Sequence, residues 1–142
     1  MNQAELMAKA RRAVLSAKVL LDAGDADGAC NRAYYAMFDA ARAALIASGA
    51  PVVAELARTH NGLISAFSLH LVKTGRVPVE LGKSLNKVED LRLIADYKGE
   101  PLDHSFAEWA VEQASQFVSA MGTTFEIDTE AWRVTPTSRS MP

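Results

Sequence analysis

Arg32, Tyr35, Asp39 and Arg42 recur at spacings of three, four and three within the run NRAYYAMFDAARAALIAS at residues 31–48. At about 3.6 residues per turn these four share one helical face. That face has two readings. Tyr35 can lie on a helix surface or subunit interface with its hydroxyl bonded to Asp39. Alternatively, the face is a polar groove in which arginine meets a phosphate and the ring stacks on a base. Tyr34 points about 100° away, on an apolar stripe with Met37 or Phe38, Ala41 and Leu45, and is expected to pack. A third stripe of Ala29, Ala33, Ala36, Ala40 and Ala43 is small enough for close approach of another helix.

Elsewhere, reactive side chains are sparse. The single cysteine, Cys30, excludes an internal disulfide framework, fits a reducing cytoplasm and reads as a core filler, because no base adjoins it. His60, His70 and His104 lack zinc-ligand spacing, so neither a structural metal nor a cofactor is expected. The net charge of −2 argues against a broad nucleic-acid-coating surface. Charge is nonetheless uneven: residues 58–98 carry seven Lys/Arg against four acids, whereas residues 99–142 carry seven acids against Arg133 and Arg139. The basic segment is either a set of solvated helix faces or the seat of a local phosphate site. No apolar run is long enough to span a bilayer, and the N-terminus lacks the apolar core of a signal peptide, so a cytoplasmic protein is expected.

These groups must be positioned by helices. Glycines 24, 49, 75, 99 and 122 each follow a helix-period run and are expected to act as C-terminal stops. Five helices are predicted: Gln3 to Ala23 behind an Asn2/Glu5 capping box, Ala26 to Ser48, Thr59 to Thr74, one opened by Pro78, and one beginning at a Ser105/Glu108 capping box. The last is expected to bury Phe106, Trp109 or Ala110, Phe117 and Met121. No sustained period-2 alternation argues for a sheet. The expected fold is an all-α, antiparallel four- to five-helix bundle over residues 1–122. An irregular, partly disordered tail over 123–142 follows, which Phe125 and Trp132 could strap to the body.

Three blocks, NRAYYAMFDAARAALIASG, RTHNGLISAFSLHLVKTG and VELGKSLNKVEDLRLIADY, strongly resemble the small prokaryotic HEPN-domain proteins in order and approximate spacing. The resemblance covers about residues 5 to 120. It implies a helical bundle, a homodimer, and a nucleotidyltransferase-type antitoxin as partner. It also implies a toxin that cleaves RNA without metal. In that family an arginine followed within two helical turns by a histidine, one pair from each protomer, forms a cleft at the dimer interface. Histidine suits removal of the 2′-OH proton, and arginine suits the charge on the phosphorane.

The matching stretch here is Arg92-Leu-Ile-Ala-Asp96-Tyr97, with tyrosine in place of the histidine. The resemblance therefore points to Arg92, Asp96 and Tyr97 as catalytic candidates. Arg92 and Asp96, four apart, can equally form a helix-surface ion pair. Arg32, Tyr35, Arg58 and His60 are the candidate nucleic-acid-binding residues. His60 follows Thr59, a natural N-cap, and is either a packing element or, if it faces Arg92, the best available general base. The alternative to a ribonuclease is a non-catalytic HEPN module that binds a nucleotide or a protein.

Overall fold

The computed structural model describes residues 1–52 and 58–127. They form helices α1 (Gln3–Asp22), α2 (Ala26–Ser48), α3 (His60–Phe67), α4 (Val79–Tyr97) and α5 (His104–Thr124), with no strand among the described residues. Local chemistry accounts for most of the boundaries. The Asn2/Glu5 capping box is fully formed, at 2.8 and 2.9 Å. Asp25 and Thr59 cap α2 and α3 by accepting from the amides of Gly28 and Gly62. Gly24, Gly49, Gly75 and Gly99 all adopt positive φ after a helical segment, the left-handed conformation that ends such segments at least cost.

Three expectations need correction. Gly122 is not a stop but a buried position inside α5, and the left-handed residue is Glu126, with the amide of Ile127 reaching the Gly122 carbonyl at 3.0 Å. The N-cap of α5 is Asp103, bonded to the amide and hydroxyl of Ser105, rather than Ser105 itself. The third helix changes character midway. From Ser68 to Val72 it is a π-helical turn, closed by the Lys73 amide on the Ser68 carbonyl at 2.8 Å.

α2 is the axis of the bundle. It packs chiefly on α1 and α5, and also on α4 and α3. Its alanine stripe, Ala29, Ala33, Ala36, Ala40 and Ala43, is completely buried against these neighbours. The stripe is therefore used for close helix packing within one chain. Tyr34, Phe67, Phe117, Leu6, Met7 and Met37 are among the largest fully buried side chains, each worth about 1.5–3 kcal/mol of transfer free energy. Phe67 and Phe117 meet at 5.5 Å across α3 and α5. The inward face of α5 consists of Ala107, Ala110, Val111, Ala114, Phe117, Val118 and Met121, whereas Phe106 and Trp109 are exposed. Asp27, near the start of α2, accepts from the Leu102 amide at 2.7 Å and ties the α4–α5 loop to the axis. Phe125 packs at the edge of the core with Arg76 over its ring at 5.1 Å; Trp132 and the Pro/Ser-rich end lie outside the described residues. No helix among the described residues is long and apolar enough to cross a membrane.

Candidate functional site

Three helices converge on one tyrosine. Tyr34 projects from the apolar stripe of α2 and is wholly buried, as its position in the sequence implies. His60 is the first residue of α3, held at that turn by the Thr59 cap. Glu89 and Arg92 lie three apart on α4 and so face the same way. The Tyr34 hydroxyl is 2.7 Å from Nδ1 of His60 and 3.3 Å from Oε2 of Glu89. Tyr35 and Phe38 complete an aromatic collar around the imidazole, with ring centres 5.9 and 5.4 Å from it.

Arg92 is the unusual member. It is only 7% exposed, with its guanidinium 4.9 Å from the Tyr34 ring centre and 5.8 Å from that of Tyr35. Its Nη1 pairs with Asp96 at 2.8 Å, but its Nε is buried without a hydrogen-bond partner. A buried donor left unmade costs about 1–3 kcal/mol, more when charged. Such a group in a folded protein calls for an explanation. Cation–π contact with two rings offsets part of the cost. Burial, reinforced by the Glu89 carboxylate and opposed by Arg92, pushes the Tyr34 phenol well above its ordinary pKa, so it remains a hydroxyl donor. Burial likewise pushes the Cys30 thiol up to about 12, with Asp96 and Asp27 adding to it, so Cys30 is an inert core group.

The expected site residues separate into three places. Arg92, Asp96, Tyr35 and His60 fall within the cluster. Arg32 joins its edge, 5.8 Å from the Tyr35 ring, and also lines a shallow groove with Lys9, Arg12, Leu15 and Val19 of α1. Arg58 is exposed and lines a separate recess with Arg42, Leu45 and Ile46. Tyr97, at the end of α4, is 81% exposed and stands clear of the cluster within one chain. Asp39 does not bond the Tyr35 hydroxyl; it is buried, and its polar neighbour is Arg42 at 3.9 Å. Among the described residues no group of three His, Cys, Asp or Glu side chains is arranged to hold a metal ion.

Two members escaped the sequence reading. The apolar stripe of α2 assigns Tyr34 to the core, and Glu89 is one of the four acids of residues 58–98 with no role assigned from the sequence. For Glu89 the available signal was its offset of three from Arg92. For Arg92 the signal was its own register, one position after Leu91 and four after Val88, which places it on the buried stripe of α4.

Known proteins are similar to this chain in sequence. A family model described as HEPN domain matches residues 3–124. The UPF0332 protein glr0978 of Gloeobacter violaceus is 38% identical over 98 residues, 69% of this chain and 74% of that protein. A UPF0332 protein of Thermotoga maritima is 34% identical over 116 residues, covering 80% and 83%. A Methanocaldococcus jannaschii protein named "Putative toxin MJ0605" is 31% identical over 103 residues, covering 72% and 73%. The family match begins with the first residue of α1 and ends with the last of α5, so it embraces every helix that builds the cluster, and the chain belongs to the HEPN domain family.

Proposed function

We propose that this HEPN protein is a toxin of a toxin–antitoxin pair, acting as a metal-independent endoribonuclease whose cleft is completed in a homodimer. A nucleotidyltransferase-type partner would serve as antitoxin. The observation that carries the reading is the buried Arg92 with its unpaired Nε, one aromatic ring away from His60. The toxin role is supported by the names of two relatives from Methanocaldococcus jannaschii.

In this reading the ribose 2′-oxygen attacks the adjacent phosphorus, forming the O2′–P bond as the P–O5′ bond breaks. His60 takes the 2′-OH proton at Nε2, and the departing O5′ takes up a proton from water. Arg92 faces the charge that develops on the non-bridging oxygens, with the phosphate competing for the Nη1 that Asp96 otherwise holds. Tyr97, exposed at the end of α4, reaches the substrate from the rim. Arg32, Tyr35 and Arg58 guide the strand by charge and stacking.

The test is incubation of the purified chain with single-stranded RNA in EDTA, with end-group analysis of the products. Cleavage leaving 2′,3′-cyclic phosphate and 5′-hydroxyl ends is expected. Loss of cleavage in chelator with recovery in magnesium would overturn the mechanism.

The near-complete burial of Arg92 and its 2.8 Å bond to Asp96 also favour a second reading, a non-catalytic module that binds a nucleotide or a partner protein. Saturable nucleotide binding with no RNA cleavage by the homodimer would select it.

A further inference from the structure

The Tyr34 hydroxyl has two neighbours and a single proton. Glu89, as a carboxylate, only accepts, so a bond between it and Tyr34 requires that Tyr34 donate. With that proton committed, the 2.7 Å contact to His60 is satisfied only by an N–H at Nδ1 donating to the phenol oxygen. The opposite assignment, Tyr34 donating to Nδ1, would leave phenol and carboxylate lone pairs facing each other at 3.3 Å beside a buried ring, which low-dielectric surroundings penalise. Both bonds are thus made by one proton order only, running from imidazole to phenol to carboxylate.

From this geometry we infer that Glu89 and Tyr34 are positioning residues that hold His60 in its Nδ1–H tautomer, leaving the Nε2 lone pair as the proton acceptor. The inference deepens the ribonuclease reading and rests on it for the use made of Nε2, but the tautomer is a property of the RNA-free protein. Among the described residues no hydrogen-bond partner stands at Nε2, and no second ordering group competes with the Tyr34 contact. The charged and titratable groups around the ring are Tyr34 and Tyr35 from α2 and Glu89 and Arg92 from α4; Arg58, just ahead of α3, lines a separate recess. Arg92, over the Tyr34 face, compensates the Glu89 charge across the ring without touching the hydrogen-bonded edge. Carboxylates that order a histidine through its far nitrogen are a recurrent catalytic device, and the wrong tautomer at such a histidine costs about 10⁴ in rate. Here the order is passed through a phenol.

The experiment is a long-range proton–nitrogen correlation spectrum of the nitrogen-15-labelled, RNA-free protein, recorded at a pH where imidazoles are neutral. Only His60, His70 and His104 contribute, and His60→Asn identifies the signal by its loss. A pyrrole-type Nδ1 and a pyridine-type Nε2 are expected for His60. Tyr34→Phe and Glu89→Met should each return it to the ordinary Nε2–H form, the first by removing the acceptor for Nδ1–H and the second by freeing Tyr34 to donate to Nδ1. If the buried Tyr34→Phe change unfolds the chain, Glu89→Met, at a half-buried position, still decides. A pyridine-type Nδ1 in wild type, or an unchanged tautomer in Glu89→Met, overturns the inference. Absence of RNA cleavage with an Nδ1–H imidazole would overturn the ribonuclease reading and leave the proton order standing. Cleavage with an Nε2–H imidazole would do the reverse.

Discussion

The guanidinium carbon of Arg92 stands 4.9 Å from the centre of the Tyr34 ring, while the hydroxyl of that ring bonds His60 at its edge. One rigid phenol therefore sets the separation between the candidate cation and the candidate base. Tyrosine has only two side-chain torsions, and this one is wholly enclosed, so little entropy remains to be lost when a substrate arrives. The arrangement draws on α2, α3 and α4 together, and it places preorganised charge where water is scarce.

Replacing Arg92 separates stability from activity. Arg92→Met keeps much of the length and removes a buried charge with an unmade hydrogen bond, while the released Asp96 side chain is 32% exposed and stays hydrated. Folding stability measured by urea denaturation should remain within about 1 kcal/mol of wild type or rise. RNA cleavage should fall by about 10²–10³, as for loss of one transition-state charge partner. Wild-type cleavage in this variant would reduce Arg92 to a structural partner of Asp96.

Tyr97 can be examined without disturbing the fold, because it is exposed and at a helix end. Tyr97→Phe should leave stability within about 0.5 kcal/mol. If the hydroxyl bonds a phosphate oxygen of the substrate it reaches, cleavage should drop about 10- to 100-fold, the worth of one hydrogen bond to a charged group. Full activity would show that the phenol hydroxyl takes no part, leaving Arg92 and His60 to carry the chemistry.

Sedimentation at micromolar concentration should give about twice the 15.3 kDa chain mass. The alanine stripe cannot mediate this, being consumed inside the bundle. One exposed apolar surface is on α4 and α5, where Ile94, Phe106 and Trp109 line a shallow groove, with Phe106 at 53% and Trp109 at 38% exposure. Burying such a patch in a second copy accords with its size and character. Ile94→Lys should shift the mass toward monomer and lower cleavage in parallel. A wild-type monomer would rule out a shared cleft.

Asp39 supplies a pH test of the packing. Burial raises its pKa, although Lys9, Arg42 and Arg32 pull in the opposite direction. A carboxyl whose pKa rises on folding binds its proton more tightly in the native state. Its stabilising contribution is therefore full below the ordinary carboxylate range and is lost as pH rises through the native value. Asp39→Asn imitates the protonated form and should raise Tm near neutral pH, by an amount that shrinks to nothing below about pH 4. Thermal unfolding of both proteins across this range measures it. A lower Tm for the variant at neutral pH would mean that the 3.9 Å pairing with Arg42 outweighs burial.

Where chain chemistry is local, the fold was legible. The Asn2/Glu5 box, the Asp25 and Thr59 caps and four glycine stops act through residues within a few positions of one another. The errors arose where packing overrides local signals. Phe106 was expected inside and is exposed, and of the alternatives Trp109 or Ala110 it is Ala110 that is buried, because α5 approaches α2 through alanines, and a bulky ring on that seam would hold the helices apart. Gly122 is buried in α5 beside the Arg11 guanidinium of α1, 2.8 Å from where a Cβ would stand, so its small size serves contact instead of a turn. The site was half legible. Tyr35 stood out by its spacing, and Arg92, Asp96 and His60 through the resemblance to the HEPN family, but the contacts from Tyr34 to His60 and Glu89 join residues 26 and 55 positions apart. Only the meeting of three helices creates them, and periodicity within one helix carries no record of it.

The bond from the Leu102 amide to Asp27 gives the α4–α5 loop a built-in reporter. An amide in an exposed connection ordinarily exchanges its hydrogen with solvent through small local fluctuations, whereas one tied to a helix axis exchanges only when the connection lifts away. In deuterium oxide, Leu102 should retain its proton far longer than Gly99 or Glu100 beside it. Any ligand or partner that levers the end of α4 outward would erase that contrast at a single residue, well before the bundle itself opens.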